Sequence, residues 1–112
     1  MHVLLINGSP HEKGCTYTAL SLVAGELNAA GITTEILNVG TKPVGGCIGC
    51  GGCAKGNGCV FGGVVNEAIE KARTADAFVF GTPVHYASAS GNMTSFMDRL
   101  AYAGGKYLAY KP

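Results

Sequence analysis

VLLINGSPHEKGCTYTAL, residues 3–20, is the stretch on which the fold turns. Val3 to Ile6 make an unbroken apolar run, which suits a strand covered on both faces. Asn7, Gly8, Ser9 and Pro10 end that run, and Gly14 stands just before Thr16, where a helix is expected to begin. A helix N-terminus offers unpaired backbone N–H groups and the positive end of the helix dipole, and the hydroxyls of Ser9, Thr16 and Thr18 add donors. In an open α/β sheet the ligand lies beyond the carboxyl ends of the strands, and this loop leaves from such an end. The spacing is not GxGxxG, and no lysine precedes Thr16, so a dinucleotide pyrophosphate and a P-loop triphosphate are both disfavoured. A neutral, hydroxyl-lined loop fits a single monoester phosphate. The plainer alternative is a βα turn that uses glycine and serine for geometry alone.

The rest of the chain repeats the same unit. Residues 16–30 carry Leu20, Val23, Ala24 and Leu27 at helical spacing, with Gly31 at the C-cap. Residues 32–39 read as a second strand, rich in β-branched residues. A glycine- and cysteine-rich loop covers 40–63. A helix is expected over 64–74 with Val65, Ala68, Ile69 and Ala72 inward, then a third strand over 75–81. Residues 82–90 read as a loop, and 91–102 as a helix with Met93, Phe96, Met97 and Leu100 inward. The tail GGKYLAYKP reads as a lead-in to a fourth strand.

The pattern βαβαβα with short connections predicts an α/β, doubly wound parallel sheet with right-handed crossovers. Five strands of that architecture need on the order of 130 residues, and the sequence has 112. Three strands would leave the third as an open apolar edge. The sheet is therefore read as truncated after the third βα unit, with residues 1–112 the N-terminal part of one domain; the alternative is that another chain completes it.

Composition narrows the class. A hydrophobic content of 47% with 13% charged residues describes a well-buried globular chain. A net charge of +1 gives no reason to expect nucleic acid. No apolar run approaches the roughly 18 residues of a membrane span. The N-terminus enters a strand without a basic leader, so a cytoplasmic location with reduced thiols is expected.

Four of the five cysteines then point to metal or redox chemistry. Cys47, Cys50, Cys53 and Cys59 form C-x2-C-x2-C-x5-C in a glycine-rich loop. That spacing suits a [4Fe–4S] cluster; structural zinc and free thiols are the alternatives. Cys15 stands apart beside Thr16; a reactive thiol at a helix N-terminus is one reading, and a small polar position in the phosphate loop is the plainer one. After the third strand, Thr82, Pro83, Val84, His85 and Tyr86 make a stiff turn with two flat rings, which suits a planar ring system. A surface histidine and a tyrosine lid over the core are the plainer alternatives.

Together, INGSPHEKGCTYTAL and FGTPVHYASASGNMTSFMDRL make the chain resemble the N-terminal part of the flavodoxin-like NAD(P)H-dependent FMN reductase family. The cysteine run between them resembles the iron–sulfur flavoprotein branch. The resemblance implies an FMN phosphate held by Ser9, His11, Cys15 and Thr16 with Gly14, and a flavin ring flanked by Pro83, Val84, His85 and Tyr86 after Thr82. It implies Cys47, Cys50, Cys53 and Cys59 as ligands of a [4Fe–4S] cluster. Cys15, His11, His85 and Thr94 depart from the residues commoner at those positions.

The activity implied is electron transfer from NAD(P)H through FMN to a quinone, a flavin or another small acceptor, with no catalytic side chain named. With a cluster present, a ferredoxin-like protein replaces the small acceptor. The partners expected are thus a small-molecule electron acceptor or a ferredoxin-like protein, and self-association into a homo-oligomer; neither nucleic acid nor membrane is expected. Two other classes remain: a non-catalytic carrier of flavodoxin type, and a metal-binding fragment without flavin.

Overall fold

The computed structural model describes residues 1–112. β1 (His2–Asn7) is followed by α1 (Cys15–Ala29), β2 (Thr33–Asn38), α2 (Val64–Thr74), β3 (Ala77–Gly81), the short strands β4 (Val84–His85) and β5 (Ser88–Ala89), and α3 (Gly91–Leu108). β1 is central. It pairs in parallel with β2 and β3, giving the order β2-β1-β3. Leu5 stands opposite Ile36 on one side and Val79 on the other.

The apolar run of β1 is explained by burial on both faces. Leu4 and Ile6 point into a core with Val65, Ala68 and Ile69 of α2 and with Met93, Phe96 and Leu100 of α3. Val3 and Leu5 point the other way, onto Leu20 and Ala24 of α1. Strand alternation thus splits one tetrapeptide between two layers. Helices on both faces of a parallel sheet make this the flavodoxin-like α/β fold expected from the sequence.

The connection from α1 to β2 is closed by backbone. Gly31 N–H donates to Asn28 O and Ile32 N–H to Leu27 O, each at 3.0 Å, a Schellman arrangement around a left-handed Gly31. α2 is tied to β2 by Lys71 Nζ on Glu35 Oε2. Hydrogen bonding to Glu35 raises the Lys71 pKa more than desolvation lowers it, and the charges of Glu35 and Glu67 add to the rise.

Several expectations are corrected. Met97 is exposed rather than inward, because α3 turns Arg99 inward instead; of the apolar residues spaced along α1, Leu20 and Ala24 are fully buried and Val23 is exposed. The third strand starts at Ala77, since Ala75 caps α2 in extended conformation. The 82–90 loop folds into a two-stranded hairpin. The first part of the tail, as far as Leu108, is helix. The helix runs through Gly104 because a side chain there would sit 2.9 Å from Ile69 Cγ1, so glycine is what lets α3 lie close on α2. Beyond Leu108 the end of the tail reaches the edge of the sheet: Phe78 N–H on β3 donates to Pro112 O at 2.8 Å.

Candidate functional site

The loop after β1 is built on a buried asparagine. Asn7 Nδ2 donates to Asn38 Oδ1 (3.0 Å) and Glu12 O (3.2 Å), and Asn7 Oδ1 accepts from Ser9 N–H (3.0 Å). Ser9 is buried, and its Oγ accepts from His11 N–H at 3.1 Å. His11 and Cys15 are exposed, Gly14 and Thr16 half-buried. Gly14 caps α1 without any side-chain cap. The first helical bond runs from Thr18 N–H to Gly14 O, so the N–H groups of Cys15, Thr16 and Tyr17 have no helical partner. No acidic side chain lies in that first turn. Such a terminus favours an anion.

The second loop is stitched to the first. Gly8 N–H donates to Gly81 O at 2.8 Å. Ser90 Oγ donates to Gly8 O at 3.1 Å and accepts from Met93 N–H at 3.2 Å, so the same hydroxyl caps α3. Ser90 N–H donates to Thr82 Oγ1, and that hydroxyl lies 2.9 Å from Pro83 O; Thr82 is thus spent inside the loop. The chain after β2 closes the same corner. A side chain at Gly40 would lie 2.3 Å from Gly8 O.

Between the loops lies a cavity of about 280 Å³ lined by Gly8, Pro10, His85, Ser90, Gly91 and Asn92. His85 therefore faces the end of β1. Val84 and Tyr86 stand out in solvent on the hairpin. Its turn holds Tyr86 at φ 49° and Ala87 at φ 66°, both left-handed without being glycine. A two-residue hairpin turn with both centres left-handed costs roughly 1–2 kcal/mol per non-glycine residue.

The third cluster is the cysteine loop. A single 3₁₀ turn over Gly52–Lys55 orders its middle. Cys47 and Cys50 are exposed, and Cys53 and Cys59 half-buried. All four thiols line one recess, together with Ile48, Val60, Phe61, Arg99 and Tyr102. As they stand, no three of them gather into a set that an ion could bridge. Cys59 is the fixed member. Its N–H donates to Asn66 Oδ1 (2.8 Å) and its carbonyl accepts from Asn66 Nδ2 (2.9 Å). Its sulfur accepts from Arg99 Nε at 3.3 Å. Burial pushes the Cys59 thiol up, but hydrogen bonding from Phe61, Arg99 and Gly62 and the Arg99 charge outweigh it and hold its pKa below the ordinary value.

Sequence reasoning missed Ser90, Asn92, Asn66 and Arg99. Asn92 Nδ2 donates to Gly40 O and Lys42 O, and its Oδ1 accepts from Val44 N–H, joining α3 to the start of the cysteine loop. Ser90 was legible as an N-cap residue before a helical run. Arg99 was legible as a charge three residues from Phe96 on the inward stripe.

A sequence model of the NADPH-dependent FMN reductase family matches residues 1–112. The chain belongs to that family. Among curated relatives of this FMN reductase family member are an iron–sulfur flavoprotein of Methanocaldococcus jannaschii, 31% identical over 88% of the chain and 51% of the relative, and one of Archaeoglobus fulgidus, 33% identical over 88% and 48%. The chain spans about half the length of these relatives. Among solved structures, an NAD(P)H:quinone oxidoreductase from Methanothermobacter marburgensis superposes with a TM-score of 0.70 at 21% identity, over 92% of the chain and 54% of that protein. This likeness carries the fold.

Proposed function

We propose that residues 1–112 supply the FMN-binding loops of an NAD(P)H-dependent oxidoreductase. The observation that carries this reading is the Ser90–Gly8 bond, which brings the two loops to one cavity at the carboxyl ends of β1 and β3. The free N–H groups of Cys15, Thr16 and Tyr17 and the Ser9 corner suit a phosphate monoester, and His85 and the Pro83–Val84 backbone suit the edge of a planar ring. When bound, FMN would accept a hydride from NAD(P)H and release its electrons to a quinone, a flavin or another small acceptor. The chain's part is to bind and orient; no side chain is needed as acid or base.

The test is FMN retention, followed by flavin fluorescence, in the protein and in Ser9→Ala/Thr16→Ala. Weakened retention in the variant is expected, and occupancy equal to that of the parent would refute the phosphate-loop assignment.

A second reading is supported by the recess shared by four thiols. The donor set fits a [4Fe–4S] cluster held by Cys47, Cys50, Cys53 and Cys59, which would supply one-electron exchange and suit a ferredoxin-like partner. The curated relatives named iron–sulfur flavoproteins favour it. Iron and sulfide analysis of anaerobically purified protein tests it.

The same reading includes reduced thiols in a cytoplasmic setting and self-association. The first is supported by five free cysteines, and no helix is long and apolar enough to cross a membrane. The second is carried over from the family resemblance alone.

A further inference from the structure

Arg99 is 7% exposed, yet it meets no carboxylate. The two ion pairs of the chain are Lys71–Glu35 and Arg73–Glu70. Arginine is almost never buried unless paired, and a buried charge with neutral partners alone is costly. The guanidinium donates to Cys59 Sγ (3.3 Å), Gly45 O (3.3 Å) and Gly62 O (3.0 Å), and stands 5.7 Å from the Phe61 ring centroid. Gly45 precedes the cysteine run and Gly62 follows it. One side chain therefore ties both ends of the loop to α3 and directs its Nε–H at the last cysteine.

We propose that Arg99 is a positioning residue for a [4Fe–4S] cluster held by Cys47, Cys50, Cys53 and Cys59, fixing Cys59 and supplying the buried positive charge that the anionic cluster balances. The proposal rests on the cluster reading above. It accounts for the uneven loop: Cys59 is held by Asn66 and Arg99, whereas Cys47 and Cys50 lie exposed on glycine-rich backbone that has to move to reach a common centre. Cluster potentials respond to net charge and to hydrogen bonds on the ligand sulfurs. A fixed cation with an N–H on Cys59 favours the reduced, more negative cluster. A mere structural staple would leave that preference unchanged.

The experiment is anaerobic loading of the protein, Arg99→Gln and Arg99→Lys with ferric iron, a thiol reductant and sulfide. Iron content, the cluster midpoint potential and the electron paramagnetic resonance of the reduced state are then read. If the parent protein takes up no iron and sulfide, the cluster reading falls and this proposal with it. If the parent loads, Arg99→Gln is expected either to lose iron while its circular dichroism is unchanged, or to keep the cluster at a more negative midpoint, with Arg99→Lys, which keeps the charge but not the N–H on Cys59, between that value and the parent's. A loaded Arg99→Gln with the parent's midpoint and resonance overturns the proposal and leaves the cluster reading standing. Should Arg99→Gln not fold, Arg99→Lys decides, since it keeps the charge and loses the fork. An altered resonance or faster iron loss in Arg99→Lys supports the proposal, and parent values for both overturn it.

Discussion

Ser90 Oγ donates to the carbonyl oxygen of Gly8 across 3.1 Å, joining positions 82 residues apart. The hydroxyl also caps α3, so one atom orders a helix end and holds the loops after β1 and β3 against each other. Ser90→Ala removes both bonds. A loss of roughly 1–3 kcal/mol is expected, from the cap and from leaving a buried carbonyl unpaired. Denaturant melts give that number, and FMN titration of the folded variant should show weaker binding.

Gly40→Ala is expected to do more harm than its size suggests. The added methyl would lie 2.3 Å from Gly8 O and 2.5 Å from Ser9 O, both backbone atoms that cannot swing aside. The loop after β1 has to shift. Overpacking of this kind costs about 1–3 kcal/mol. FMN affinity should fall further than in a control such as Gly25→Ala, where the new methyl meets nothing.

The hairpin turn should improve on substitution. Ala87 holds φ 66° beside Tyr86 at φ 49°. Ala87→Gly relieves the strain at one position while adding freedom to the unfolded chain, and a net gain of about 0.5–1 kcal/mol is expected. A lower denaturation midpoint for this variant would show that the turn is not strained.

Cys59 sets a pH dependence for the metal-free protein. Its folded pKa lies below the ordinary thiol value. The unfolded state then binds more protons between the two values, so stability rises as pH climbs through that window and is lost as pH falls through the folded pKa. Denaturant midpoints measured from neutral to mildly alkaline pH should rise in the parent. The slope should flatten in Cys59→Ser.

Asn66→Ala should free the backbone of Cys59 by removing both of its side-chain bonds. A loss of roughly 1–3 kcal/mol is expected for the two groups left without partners. Iron loading, where the parent shows it, should become slower and less complete.

What could be read before folding was what depends on neighbours in sequence. β1 was legible because Leu4 and Ile6 alternate with Val3 and Leu5 between two cores, which demands an unbroken apolar run. α2 was legible from its apolar stripe, and its bounds are as expected. α3 was read too short because Gly104 and Gly105 look like a stop; the contact with Ile69 that makes Gly104 useful is long-range. Arg99 and Asn66 were missed for the same reason. Their partners Gly45, Gly62 and Cys59 lie across loops whose closure no local pattern reveals. The fate of Thr82 was hidden too, because its hydroxyl is taken up by Ser90 N–H.

α3 carries Ser90 at its cap and Arg99 on its inner face. Arg99 stands nine residues after Ser90, about 14 Å along the axis at 1.5 Å per residue. The loops that suit a flavin and the recess that gathers the thiols are thus indexed off one rigid rod. α3 works as a gauge block: its pitch sets the spacing between the paired loops and the cysteine recess, and any slide of the rod is registered at both ends at once.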